Sequence, residues 1–295
     1  MVKSLRRVLL GRKPAPRNLA SGDGQPSPPP VVDSGEMPFL DHLEELRWRL
    51  IWGMGSMAVV VVICFFFADW IVDVLLIGPK KPSFITYQLL GMEAKEFALQ
   101  NRTITGQFFA WAGTVITAGV ILGAPFLIYH LWKFIEPALY PDEREGMRFA
   151  SAGATLCFMA GIAFGYLIVT PLSLQFFANF ELSAEISNEF DITKYFSMVA
   201  MWSLGVGILF ELPVVIYFLA KAGILTSDML RKGRRIAIVI IMILGAIITP
   251  PDPISQLIVA LPLFGLYEVA TLLAARVERK RAKALARAAK METTA

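Results

Sequence analysis

The chain has 295 residues, 56% of them hydrophobic, with a mean hydropathy of +0.58 and a formal net charge of +4. That apolar content is too high for an ordinary soluble domain. The basic residues fill the gaps between apolar runs, which is a membrane-topology pattern and not a nucleic-acid footprint. Cys64 and Cys157 both lie inside apolar runs and form no disulfide framework. The only histidines, His42 and His130, leave no histidine-based metal site to expect.

Residues 1–36 form a basic, Pro/Gly/Ser-rich leader whose composition cannot bury a core, so disorder is expected there. Its Arg6-Arg7 pair is followed by only three apolar residues, Val8-Leu-Leu10, before Gly-Arg-Lys-Pro, which is no adequate apolar region, so it reads as a juxtamembrane basic stretch. From Pro38 an amphipathic helix begins. Pro38 suits a first helical position, Phe39, Leu43, Leu46 and Leu50 recur at helical spacing, and Asp41 and Glu44 sit near the positive end of the dipole. On spacing alone Glu45 pairs with Arg49 at i,i+4.

Six apolar spans follow. They are Leu50 to Ala68, about 108–129, about 149–171, about 196–219, Ile236 to about Thr249, and residue 254 to about Tyr267 or slightly further. At about 1.5 Å per residue the last two are short against about 30 Å of hydrocarbon, which suggests a locally thinned bilayer. Lys and Arg number 8, 3, 5 and 7 before the first span and after the second, fourth and sixth. They number 4, 1 and 0 after the first, third and fifth. The positive-inside rule therefore places both termini in the cytoplasm. The long outer loops, about 69–107 and 172–194, are expected to form a periplasmic cap, with Lys95, Glu96, Glu185 and Asp191 solvated. Residues 276–295 are a basic tail beyond a core of 37–275, and a helix near anionic lipid suits it.

Glu211 is the one charge between Tyr195 and Ala220. A carboxyl inside a span costs roughly 2.5–3.5 kcal/mol on insertion scales, so it needs a partner, a cavity or a proton. Pro213, two residues on, frees a backbone carbonyl one turn earlier and makes a polar notch.

The string Phe39-Leu-Asp-His42-Leu-Glu-Glu45-Leu-Arg47-Trp-Arg49-Leu50 resembles the N-terminal signature of the TatC family, the core receptor of the twin-arginine protein translocase. The likeness continues in Ala124-Pro125 through Tyr129, in Trp132 through Arg144, in Phe210-Glu211-Leu-Pro213 and in Thr249 through Gln256. It covers about residues 37–275.

The resemblance implies an all-α membrane protein: six transmembrane helices in a cupped bundle, with short fifth and sixth helices and a periplasmic cap. It implies a receptor in the bacterial inner membrane that recognises twin-arginine signal peptides of folded cargo. Glu45, Glu143, Phe134, Arg47, Leu43 and His42 would form the signal site. Glu211, Phe210, Thr249 and Gln256 would dock the single-span partners TatA and TatB, in a complex holding further copies. Pro250 and Asp252 would order the outer turn. The proton-motive force would drive transport with no cofactor and no nucleic acid. The chemistry agrees, since planar guanidiniums are held best by carboxylates. From the residues alone, Glu143 reads as a surface charge paired with Arg144 or Arg148, and the family motifs reverse that reading. A secondary transporter would show inverted repeats, and residues 49–172 and 195–275 show none that convince. An enzyme would show a Walker loop, a zinc helix or a nucleophile elbow, and none occurs.

Overall fold

The computed structural model describes residues 39–135, 147–183, 185–186, 188–249 and 253–294. Glu143, Pro250, Asp252 and the leader lie outside these described residues, as do the side chains of Phe39 through His42. Among the described residues five helices are long and apolar enough to cross a membrane: Leu43–Phe65, Gly106–Phe134, Ser151–Asn179, Ile192–Lys221 and Ser255–Lys283.

Helix α1 (Phe39–Phe65) runs without a break from the amphipathic stretch into the first span. A short α2 (Ala68–Ile71), a π-helical turn (Val72–Leu76) and α3 (Ile85–Leu90) follow, and then strand β1 (Ala98–Gln100). Gly91 closes α3 at φ 61°, a left-handed position that glycine adopts without strain. Helix α4 (Gly106–Ile135) keeps Pro125 inside it. Helix α5 (Met147–Phe164) passes through a π-helical turn (Gly165–Val169) into α6 (Thr170–Asn179). Pro171 has no N–H for the carbonyl of Leu167, and the Thr86 hydroxyl donates to that carbonyl instead.

Strand β2 (Glu189–Asp191) pairs in parallel with β1, Leu99 opposite Phe190. This small ladder, with α2, α3 and their connections, caps one end of the bundle. The cap is more bonded than its composition suggests. Asp191 is not merely solvated: its carboxylate N-caps the next helix by accepting from the Thr193 and Lys194 amides at 3.0 and 3.1 Å. Lys95 and Glu181 form an ion pair, and Gln175 exchanges bonds with the Lys95 backbone at 2.8 and 3.2 Å. Tyr195 and Tyr166 donate to the carbonyls of Leu76 and Val74 in the first π-helical turn.

The fourth span is α7 (Ile192–Leu209) followed by α8 (Leu212–Lys221), broken at Phe210 and Glu211. After α9 (Ser227–Lys232) comes α10 (Arg234–Ile248), which at 15 residues is short, as expected. The sixth helix departs from expectation. Helix α11 (Pro253–Thr294) continues through Tyr267 and the basic tail. Glu268 pairs with Arg234 at 2.6 Å, and the apolar run resumes at Val269. Glu278, in the tail, accepts from the Ser227 amide and hydroxyl at 2.6 Å each. Ala270 and Ala274 pack on Ile216 and Ala220 of α8. The tail is thus the far part of a strut against α8 and α9.

Glycine seams set the helix pairs. A Cβ on Gly119 would come 2.5 Å from Val61 Cα, one on Gly123 2.7 Å from Met57 Cγ, and one on Gly53 3.0 Å from Leu127 Cδ1. The α5–α7 pair is as close: a Cβ on Gly161 would come 2.8 Å from Gly207 Cα, and one on Gly165 2.6 Å from the Trp202 carbonyl. Small residues four apart let backbones approach where no hydrophobic drive exists between helices.

Candidate functional site

The α1–α4 seam positions the first group of residues. Each four-residue step from Val61 to Met57 to Gly53 is matched by a step from Gly119 to Gly123 to Leu127, so the helices run antiparallel in register. Two further steps carry Glu45 level with Ile135, beside Phe134. This end of the bundle, opposite the cap, therefore brings Glu45 and Phe134 onto one rim. Leu43 and Arg47 are exposed there, and the Arg47 guanidinium lies 5.7 Å from the Trp48 ring centre. The backbone of His42 lies in α1 one turn before Glu45.

Glu45 is already engaged. Arg49 donates from Nε to Glu45 Oε1 at 2.8 Å, and from a terminal nitrogen to the same oxygen. The i,i+4 pairing expected from spacing is therefore made. Both side chains are mostly covered, 21% and 23% exposed, and Glu45 Oε2 is buried with no hydrogen-bond partner among the described residues. A carboxylate with one oxygen shared between two N–H groups and the other covered and idle has lone pairs for a second guanidinium once Arg49 shifts.

Glu211 lies deeper. It precedes α8, and Pro213 withholds an N–H from the Leu209 carbonyl, while the Val214 N–H goes to the Glu211 carbonyl at 3.0 Å. The span is interrupted here between Leu209 and Leu212. One turn on, Val214 packs with Trp132 and Ala154, and the Trp132 and Phe218 rings meet at a tilt, 3.8 Å between centres. Glu211 Oε1 is buried and unpartnered among the described residues. Glu211 and Glu45 are thus two separate positions, one in the span and one on the rim.

The remaining expected partner contacts are turned inward. Phe210 is 8% exposed and stacks on Phe164 at 5.6 Å. Thr249 is buried and donates to the Gly245 carbonyl at 2.9 Å, and the Gln256 amide donates to the Met242 carbonyl at 3.1 Å. Gln256 thus ties α11 to α10, whereas the Thr249 hydroxyl caps the end of α10 by bonding back one turn within it. Ser255 joins them through a 2.9 Å bond from Ser173. Reading the sequence missed Glu278, which a Thr226-Ser-Asp cap pattern beside an acid in a basic tail could have signalled. An apolar groove of about 420 Å³ also opens toward the cap, between Trp70, Val74, Thr117, Leu122, Ala163 and Leu167.

Comparison with known proteins follows this geometry closely. The family profile described as Sec-independent protein translocase protein (TatC) matches residues 41–262. The chain belongs to the TatC family. A TatC from Blattabacterium is 36% identical over 263 residues, covering 84% of this chain and 99% of its own. TatC from Deinococcus radiodurans is 37% identical over 251 residues, covering 84% of this chain and 88% of its own. A crystal structure described as the twin-arginine translocase receptor TatC superposes with a TM-score of 0.65 at 33% identity, over 80% of this chain and 99% of that one. As a TatC-family member, this chain is a multi-pass inner-membrane component of a Sec-independent protein translocase, not a catalyst.

Proposed function

We propose that this chain is the receptor subunit that binds paired-arginine signal peptides at the cytoplasmic face and nucleates assembly with TatB and TatA. The observation that carries the reading is the Glu45 carboxylate. It stands on the rim beside Phe134, it already accepts a guanidinium, and it keeps one oxygen idle. Glu143 supplies the second carboxylate, and Phe134 with Leu43 covers the peptide's apolar part. His42 and Arg47 flank the site. The Lys and Arg distribution turns this rim and both termini to the cytoplasm.

Glu211 serves the partners. Its idle oxygen at the helix break takes a polar group from a single-span TatA or TatB helix, which satisfies it in the hydrocarbon. Phe210 shapes that notch from behind. Pro250 and Asp252 order the outer turn, Thr249 and Gln256 hold the hairpin in shape, the proton-motive force supplies the energy, and further copies join the receptor complex.

Crosslinking of full-length protein to an Arg-Arg and a Lys-Lys signal peptide tests the division of labour. Wild type should recover the Arg-Arg peptide preferentially, and Glu45→Ala and Glu143→Ala should each weaken it. Glu211→Ala should keep the crosslink and lose co-purifying TatA and TatB. Equal recovery of both peptides by wild type, or loss of the crosslink in a folded Glu211→Ala protein, refutes the assignment.

A further inference from the structure

The α1 ion pair sets the signal-binding carboxylate against a guanidinium from its own helix. We infer that Arg49 is a built-in rival of the signal arginines, holding Glu45 in the unoccupied receptor and setting how tightly a signal binds. This rests on the reading of Glu45 as a signal-binding group.

The geometry carries the inference. Arg49 presents the chemistry expected of the ligand, a guanidinium giving two N–H bonds to one carboxylate oxygen. Glu45 stands N-terminal to Arg49 at i,i+4, the favourable orientation of such a pair on a helix. Glu45 Oε2 is buried, so an arriving guanidinium reaches a two-oxygen contact only by displacing or shifting Arg49. The pair is neutral as it stands. A lone passing cation therefore meets no open negative charge, whereas two linked guanidiniums can take Glu45 and a second carboxylate together. Arg49 is thus a specificity-determining residue that acts through Glu45 and touches no signal atom in the unoccupied state.

A partly exposed pair of this kind contributes little to stability, so the rivalry is correspondingly modest, an expected factor of about two to five in affinity. The test is equilibrium binding of an Arg-Arg signal peptide to full-length protein in nanodiscs, for wild type, Arg49→Gln, Glu45→Gln and the double variant. Arg49→Gln should bind about two- to fivefold tighter than wild type. In the Glu45→Gln background the same change should bring no tightening, because nothing remains to compete for. Should Arg49→Gln not fold, Arg49→Lys keeps the charge but cannot give the two-nitrogen contact, and it should tighten binding by a smaller factor.

If Arg49→Gln leaves binding unchanged or weaker while Glu45→Gln still weakens it, the rivalry is wrong and the receptor reading stands. Tightening that persists in the Glu45→Gln background marks a long-range charge effect and also overturns the rivalry. If Glu45→Gln binds like wild type, the receptor reading itself fails.

Discussion

Gly119→Ala tests the seam that places the signal rim. The added Cβ would stand 2.5 Å from Val61 Cα and 2.7 Å from its Cγ2. Carbon pairs settle at about 3.5–4.0 Å, so the two backbones must part by about 1 Å or more. Val61 Cα cannot rotate away as a side-chain end could. Overpacking of this sort costs about 1–3 kcal/mol. Gly55, on the same helix, has nothing within 4 Å of its Cβ position, so Gly55→Ala should stay within about 0.5 kcal/mol of wild type. Reversible unfolding in mixed micelles should separate the two variants, and export should fall for Gly119→Ala alone, because α1 carries Glu45 away from Phe134. Adding Val61→Ala should restore part of the loss by removing Cγ2, while the clash with the Val61 main chain stays. If Gly119→Ala and Gly55→Ala unfold alike, α1 is not seated on α4 as described.

The cap should respond to acid. The amide of Lys194, followed by those of Arg102 and Thr193, holds the Asp191 carboxyl below its usual range, and Lys95 does the same for Glu181. A depressed folded value means that the stabilisation is present above the unfolded value, near 3.9 for aspartate and 4.3 for glutamate, and is lost as pH falls through the folded one. Thermal melts at pH 7 and pH 3 should therefore differ more for wild type than for Asp191→Ala, and an equal difference would refute the cap. Glu278→Ala strands the amide and hydroxyl of Ser227, a residue 6% exposed, and should cost about 1–3 kcal/mol and open residues 221–227 to protease, with Glu278→Gln intermediate. Unchanged cleavage in Glu278→Ala would detach the strut from α9.

The spans were legible because uncharged runs bounded by arginine and lysine carry their own topology, and the short α10 followed from the distance between Arg235 and Thr249. The Glu45–Arg49 pair was legible because i,i+4 spacing is local. The helix of the sixth span runs well past Tyr267, and the Arg234–Glu268 pair within it joins residues thirty-odd positions apart, a pairing that local spacing does not reveal. The β1–β2 ladder joins three residues on each side across a long separation, and no local pattern announces it. The seams were written in Gly119–Gly123 and Gly161–Gly165, yet small-residue spacing names no partner helix until the structure supplies one.

Among its tethers, helix α11 is bonded near its start by Ser255 to Ser173 and in its tail by Glu278 to Ser227. These lie about 35 Å apart along one axis at 1.5 Å per residue. One continuous helix therefore joins the outer hairpin to the inner loop, and Pro262, which withholds an N–H from the ladder between the two contacts, is where that rod would give first.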